Sequence, residues 1–163
     1  MSTAYPDSLS VEQAHSSLEL EETPLRRTIR RVLSAEGATL VHLSVVLADH
    51  ETVRRLNRSY LDHDYNTDVL SFSLRSQTET APSPVEEPSA NEMTVEGEVY
   101  VDLDTAAERH EEFDTTFERE TYRYVIHGVL HLVGYDDATE AGQETMRRKE
   151  DQYLDAVEAI PDS

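Results

Sequence analysis

The sequence predicts an α+β fold, with helices packed on a small mixed four-stranded sheet. Three observations carry that prediction. Apolar runs and amphipathic stretches follow one another in the order strand, helix, strand, helix, strand, strand, helix, helix, helix. One late helix is apolar around nearly its whole girth, which marks it as buried and central. The 163 residues suit one domain with a real core, and no internal repeat divides them.

Residues 1–8 are expected to fray, and Leu9 and Val11, then Leu18 and Leu20, alternate weakly as one edge strand would. Thr23-Pro24 reads as a helix start, an N-cap followed by proline in the first turn. Leu25, Ile29, Val32 and Leu33 form the apolar stripe of that helix, Arg26, Arg27, Arg30 and Arg31 lie beside it, and Gly37 stops it. Leu40 to Ala48 is a buried strand. Asp49 caps a second helix running through Tyr60, with Val53 and Leu56 inward. Asp68 to Leu74 is another strand. Residues 75–93 are Ser, Thr, Pro and Glu and read as a mobile loop, longer than an ordinary connection. Glu96 to Asp102 is a strand, Leu103 to Glu112 a short helix, and Thr115 to Val133 the long apolar one. Ala138 to Ala159 closes the chain as an amphipathic helix with Met146, Tyr153, Leu154 and Val157 inward and Arg147 and Arg148 on its exposed side. The folded core is expected over residues 9–159.

The formal charge is −20, from 34 acids against 14 bases. Acids run through every segment, Lys149 is the one lysine, and this pattern suits a protein kept soluble at high salt. It argues against broad non-specific nucleic-acid binding but leaves room for a local basic patch. No apolar run approaches twenty residues and no hydrophobic leader is present, so a soluble, cytoplasmic protein without a membrane partner is expected. With no cysteine, disulfides and thiolate ligands are excluded, and any metal must be held by His, Asp or Glu.

The stretch Ile126 to Ala138, I-H-G-V-L-H-L-V-G-Y-D-D-A, carries the chemistry. His127 and His131 are four residues apart, on one helix face. Gly134 ends the helix, and Asp137 follows at offset ten from His127. This spacing is that of a three-ligand metal site with an open fourth position, as in catalytic zinc. The competing account is a pair of core histidines, each satisfied by one hydrogen bond; the helix break and the acid at offset ten weigh against it. Asp136 competes with Asp137 as third ligand, but the offset favours Asp137, which leaves Asp136 to orient an imidazole. The pattern departs from the metzincin protease motif in having Asp137 as last ligand and Gly128 where the protease carries its Glu base, so peptide hydrolysis by that route is unsupported.

H-G-V-L-H-L-V-G-Y-D-D resembles the signature of the YbeY family of rRNA maturation factors and endoribonucleases. Leu56-Asn57 with Tyr60, Thr67 to Phe72 and Gly97-Glu98-Val99 resemble three further family segments in order and spacing. The likeness covers residues 25–154. It implies a zincin-like sandwich with a central, metal-bearing helix and one Zn2+ ion, held by His127, His131 and Asp137. It further implies a single-strand-specific endoribonuclease acting in rRNA maturation at the 16S 3′ end and in ribosome quality control, with ribosomal RNA and small-subunit proteins as partners. At the family's Arg position stands Leu61, and two positions later His63 replaces its usual basic residue.

His127 and His63 are therefore the catalytic candidates. His63 has the intrinsic pKa for acid or base help, against its reading as an exposed loop residue between Asp62 and Asp64. Arg54, Arg55, Arg58 and Tyr60 are the substrate-binding candidates, with the Arg26 to Arg31 group as a second basic cluster; a solvated, acid-paired helix face is the plain alternative for both. Tyr65 and Phe72 are possible base-stacking residues, with core packing favoured for Phe72. Two rival functions stand beside the nuclease: a non-catalytic ribosome assembly factor with structural zinc, and another metallohydrolase, which would need a carboxylate such as Glu98 near the metal.

Overall fold

The alternation of side chains along residues 38–48 puts Leu43, Val45 and Leu47 on one face and Val46 and Ala48 on the other, and both sets are buried. A strand apolar on both faces belongs inside a sheet covered on both sides, and that is its position in the computed structural model. The structure describes residues 8–61, 69–73, 93–112, 114–135 and 139–159, with backbone only at 60, 61, 93 and 156–159. The expected loop 75–93 lies, apart from Met93, outside the described residues.

The elements are β1 (Leu9–Gln13), α1 (Glu22–Ala35), β2 (Ala38–Ala48), α2 (His50–Leu61), β3 (Val69–Ser73), β4 (Met93–Asp102), α3 (Leu103–Arg109), α4 (Phe117–Val133) and α5 (Glu140–Ala159). The sheet is mixed and four-stranded, in the order β1-β2-β4-β3. β1, β2 and β4 run parallel, and β3 pairs antiparallel with β4 at the edge. Element order and sheet type are those expected from the sequence.

One face of the sheet carries the main core. Val45, Leu47, Val99 and Val101 meet Leu25, Ile29 and Val32 of α1, Val125, Val129 and Leu130 of α4, and Met146 and Leu154 of α5. α4 packs against β3, β4, α1, α3 and α5, which explains its all-round apolar end. The other face holds a smaller cluster, in which Val46, Ala48 and Leu70 meet Val53 and Leu56 of α2. Phe72 belongs to this cluster and packs edge-on to Tyr100 at 5.9 Å between ring centroids, the core role favoured for it.

Several boundaries differ from the expectation. α1 begins at Glu22, so Thr23 lies inside the helix rather than capping it, and Glu21 at the cap makes no side-chain bond. Pro24 is tolerated there because none of the first four N–H groups of a helix has an intrahelical partner. Thr28 Oγ1 then donates to Pro24 O at 2.8 Å. β4 starts three residues early, at Met93, because its pairing with β2 extends down to Ala38. α3 stops at Arg109 and α5 starts at Glu140, each shorter than expected. Asp49 does cap α2, its Oδ1 accepting from Thr52 N–H at 2.9 Å. Both expected stops hold: Gly37 has φ 71° and Gly134 φ 122°, a region that disfavours residues with a Cβ.

Candidate functional site

α4 is started by Thr116, whose side chain accepts from Arg119 N–H, and ended by Gly134, whose N–H donates to Leu130 O and His131 O. Between those ends, 3.6-residue periodicity decides what each side chain meets. Gly128 faces the sheet. A Cβ there would lie 2.6 Å from Val99 Cγ1 and 3.1 Å from Val69 Cγ2, so only glycine permits this approach. Ser71 Oγ donates to Gly128 O at 3.0 Å and pins the helix to β3. The position where a metzincin carries its Glu base thus has no room for any side chain.

His127 and His131 share the neighbouring face, with ring centroids 4.7 Å apart and planes at 76°. His127 Nδ1 is 2.7 Å from Glu150 Oε2, on α5. A carboxylate accepts only, so Nδ1 carries the proton and Nε2 is the lone-pair nitrogen, the one suited to a metal. Glu150 is 9% exposed at its side chain, and its Oε1 accepts from Arg123 Nη1 at 2.9 Å. Arg123 also donates to Asp151 at 2.8 Å. Burial opposes the charge on Arg123, but the bonds to Asp151 and Glu150 outweigh it and hold the guanidinium protonated.

This donor set fits a metal ion at its two described members: imidazoles one turn apart, one oriented through Nδ1 by a buried carboxylate. Asp137, the expected third ligand, and Asp136 lie outside the described residues, as do His63 and Tyr65. Among the described residues no group of three His, Asp or Glu side chains is arranged to hold a metal.

His127 opens onto a cleft of about 680 Å3 between α4, α5 and the end of α3. Arg109, Arg119, Arg123 and Arg147 line it. Arg147 is exposed, as expected, yet its exposed side is this cleft. Arg54, Arg55 and Arg58 are not among the lining residues; their helix packs on the opposite face of the sheet. Glu98 alternates away from α4, on the α2 face, and its Oε1 accepts from Tyr100 OH at 3.3 Å, so it supplies no carboxylate beside His127.

Glu150 was missed in the sequence, though one signal was present. Met146 and Tyr153 mark the buried stripe of α5, and Glu150 lies on that same stripe, a charge where an apolar residue is expected. A second carboxylate, Glu36, sits half-buried just past the end of α1. It accepts from Tyr135 OH at 2.8 Å and from Tyr153 OH, and Lys149 Nζ lies 3.2 Å away. Burial raises its pKa, but the bonds from Tyr153, Tyr135 and Lys149 prevail and hold it below the ordinary 4.5. This clamp fixes Tyr135, the residue before Asp136.

Residues 10–158 match the family described as Endoribonuclease YbeY. The chain is 63% identical to the Endoribonuclease YbeY of Salinibacter ruber, over the full length of both. It is 39% identical to that of Chlorobium phaeovibrioides over 135 residues, 83% of this chain and 81% of the other. A solution structure of a Thermotoga maritima protein superposes with a TM-score of 0.52 at 27% identity, covering 91% of this chain and 88% of that one. These likenesses define the class: a nuclease, a hydrolase acting on RNA. The chain belongs to the Endoribonuclease YbeY family.

Proposed function

We propose that this chain is a zinc-dependent, single-strand-specific endoribonuclease of zincin-like fold, acting in the cytoplasm on ribosomal RNA. Maturation of the 16S 3′ end and ribosome quality control are the processes it would serve, with small-subunit proteins as partners. The observation that carries the reading is the His127–Glu150 pair with His131 one turn on, beside a cleft lined by arginines. His127, His131 and Asp137 would hold the zinc, with Asp136 beside them. The ion would supply a Lewis acid and a water acidic enough to ionise near neutral pH.

The chain's own residues do the rest. Glu150 holds His127 in one tautomer and one orientation. Arg123, fixed by Glu150 and Asp151, keeps a permanent positive charge next to His127, where it offsets phosphodiester charge. Gly128 seats α4 on the sheet, so the imidazole face is held by the core rather than by a loop. His63 is the candidate for proton transfer to or from the ribose oxygen or the leaving oxygen. The high negative charge suits work at high salt. The test is cleavage of a structured rRNA precursor fragment at high salt, with His127→Ala purified in parallel and zinc content measured in both. Cleavage by the wild type alone supports the reading. Equal cleavage, or none by zinc-loaded wild type, overturns it in favour of a non-catalytic assembly factor.

A further inference from the structure

Fourteen basic residues serve a chain of net charge −20, and four of them line one cleft. They come from three helices: Arg109 from α3, Arg119 and Arg123 from α4, and Arg147 from α5. Gathering guanidinium groups from separate elements costs mutual repulsion, which acidic neighbours offset. Asp114, Glu120 and Glu150 share the lining, and of these Glu150 is already bound to Arg123 and His127. Arg109 lies 3.8 Å from Glu112, and Arg119 lies 3.4 Å from Asp155, carboxylates 62% and 74% exposed. Exposed pairs of this kind are worth about 0–1 kcal/mol.

The volume of about 680 Å3 lies among pockets that enclose whole organic ligands rather than single ions. The cleft opens beside His127 and sits at the start of α4, where the helix dipole adds positive potential. Guanidinium groups grip phosphate oxygens through paired N–H donors.

We infer that the cleft formed by Arg109, Arg119, Arg123 and Arg147 binds the phosphodiester backbone of single-stranded RNA next to the bond presented at His127. This inference rests on His127 and His131 as the cleavage centre, and it names where the substrate strand lies. A site of this kind gives affinity without base readout, and its binding weakens with salt because the counterions it releases gain less entropy in a more concentrated solution.

The experiment measures binding of a 2′-O-methylated single-stranded oligoribonucleotide to the full chain by fluorescence anisotropy, across a salt series. Each phosphate contact contributes about 0.7 to the slope of log K against log salt on single strands. Arg119→Gln with Arg147→Gln should lower the slope by about 1.4 and make the loss of affinity between about 50 and 200 mM salt about sevenfold smaller than in the wild type. Arg119→Lys with Arg147→Lys should restore the slope, and Arg148→Gln, on α5 but outside the cleft lining, should leave it unchanged. Circular dichroism checks that each variant is folded. An unchanged slope in the Gln pair, a fall of about 0.7 in Arg148→Gln, or no wild-type binding at the lowest salt overturns the inference. Cleavage separates this from the proposed function. A wild type that cuts RNA with kcat/KM unchanged in the Gln pair overturns the cleft alone. A cleft-dependent slope without cleavage supports the cleft and overturns the nuclease.

Discussion

Two imidazoles in this protein lean on carboxylates in the same way. His127 meets Glu150 through Nδ1 at 2.7 Å, and His50 meets Asp102 through Nδ1 at 2.7 Å. Their surroundings differ. Asp102 is fully buried, and its second oxygen caps α3 through Thr105 N–H at 2.9 Å. Asp104 accepts from His50 N–H at 2.9 Å and pairs with His15 Nε2 at 2.8 Å. His15 Nδ1 accepts from the backbone of Ser17 and Leu18, so its Nε2 holds the proton and donates. The bonds of this second cluster close a helix end, join the start of α2 to the end of β4, or tie the segment after β1 to α3. Around His127 the bonds lead instead to Glu150 and the Arg123 guanidinium in the cleft wall, and the ring meets a second imidazole edge-on. The pairing of His with a carboxylate is common to both; what faces the imidazole decides whether it is chemistry or architecture.

The sharpest way to break this contrast is to remove each imidazole. His127→Ala should lower cleavage of an rRNA precursor by at least about 100-fold, since it would remove a proposed zinc ligand, while His50→Ala should leave the rate per folded molecule within about twofold. Comparable losses in both would erase the distinction. Next, the carboxylates can be exchanged. Glu150→Gln should weaken zinc binding about 10–100-fold in a chelator competition with the fold intact. Asp102→Asn should leave zinc affinity alone but cost about 2 kcal/mol in denaturant unfolding, through its charged hydrogen bonds to His50 and Thr105.

Smaller effects sharpen the structural side. Gly128→Ala should destabilise the protein by about 1–3 kcal/mol, because the added methyl meets Val99 and must push α4 off the sheet. Urea unfolding with an unaltered midpoint would show that α4 is not pressed on β3 and β4. The Glu36 clamp gives a pH signature. Its carboxylate has a lowered pKa when folded, so its stabilisation is present above the ordinary 4.5 and lost as pH falls through the lower folded value. Glu36→Gln should therefore cost about 1–2 kcal/mol at neutral pH, and the gap from wild type should shrink on acidification. A gap constant down to strongly acid pH would contradict the charged clamp.

The fold was readable because its signals are local. The alternation in β2, the glycines after α1 and α4 and the cap at Asp49 each lie within a few residues of what they determine. The face shared by His127 and His131 was readable for the same reason. Glu150 and the arginine cleft were not, because Arg109, Arg123 and Arg147 are brought together by helix packing rather than by spacing. Residues on one helix, such as Arg54, Arg55 and Arg58, look like a cluster in sequence, but their helix lies across the sheet from α4. The start of α1 was misjudged because Thr-Pro is equally compatible with the first turn and with the cap before it.

Lys149 is the chain's one lysine, and it is the amine held in the Glu36 clamp. Its hydrogen bond to Glu36, the largest influence on it, outweighs burial and raises its pKa, so the neutral, nucleophilic form is scarce while the clamp is closed. An acylating reagent therefore meets one side-chain amine, kept protonated by its contact with the Glu36 carboxylate that also anchors Tyr135. The rate at which the peptide carrying Lys149, separated from the faster-reacting α-amino group, gains an acyl mass becomes a clock for how often α1, α5 and the turn after α4 part company.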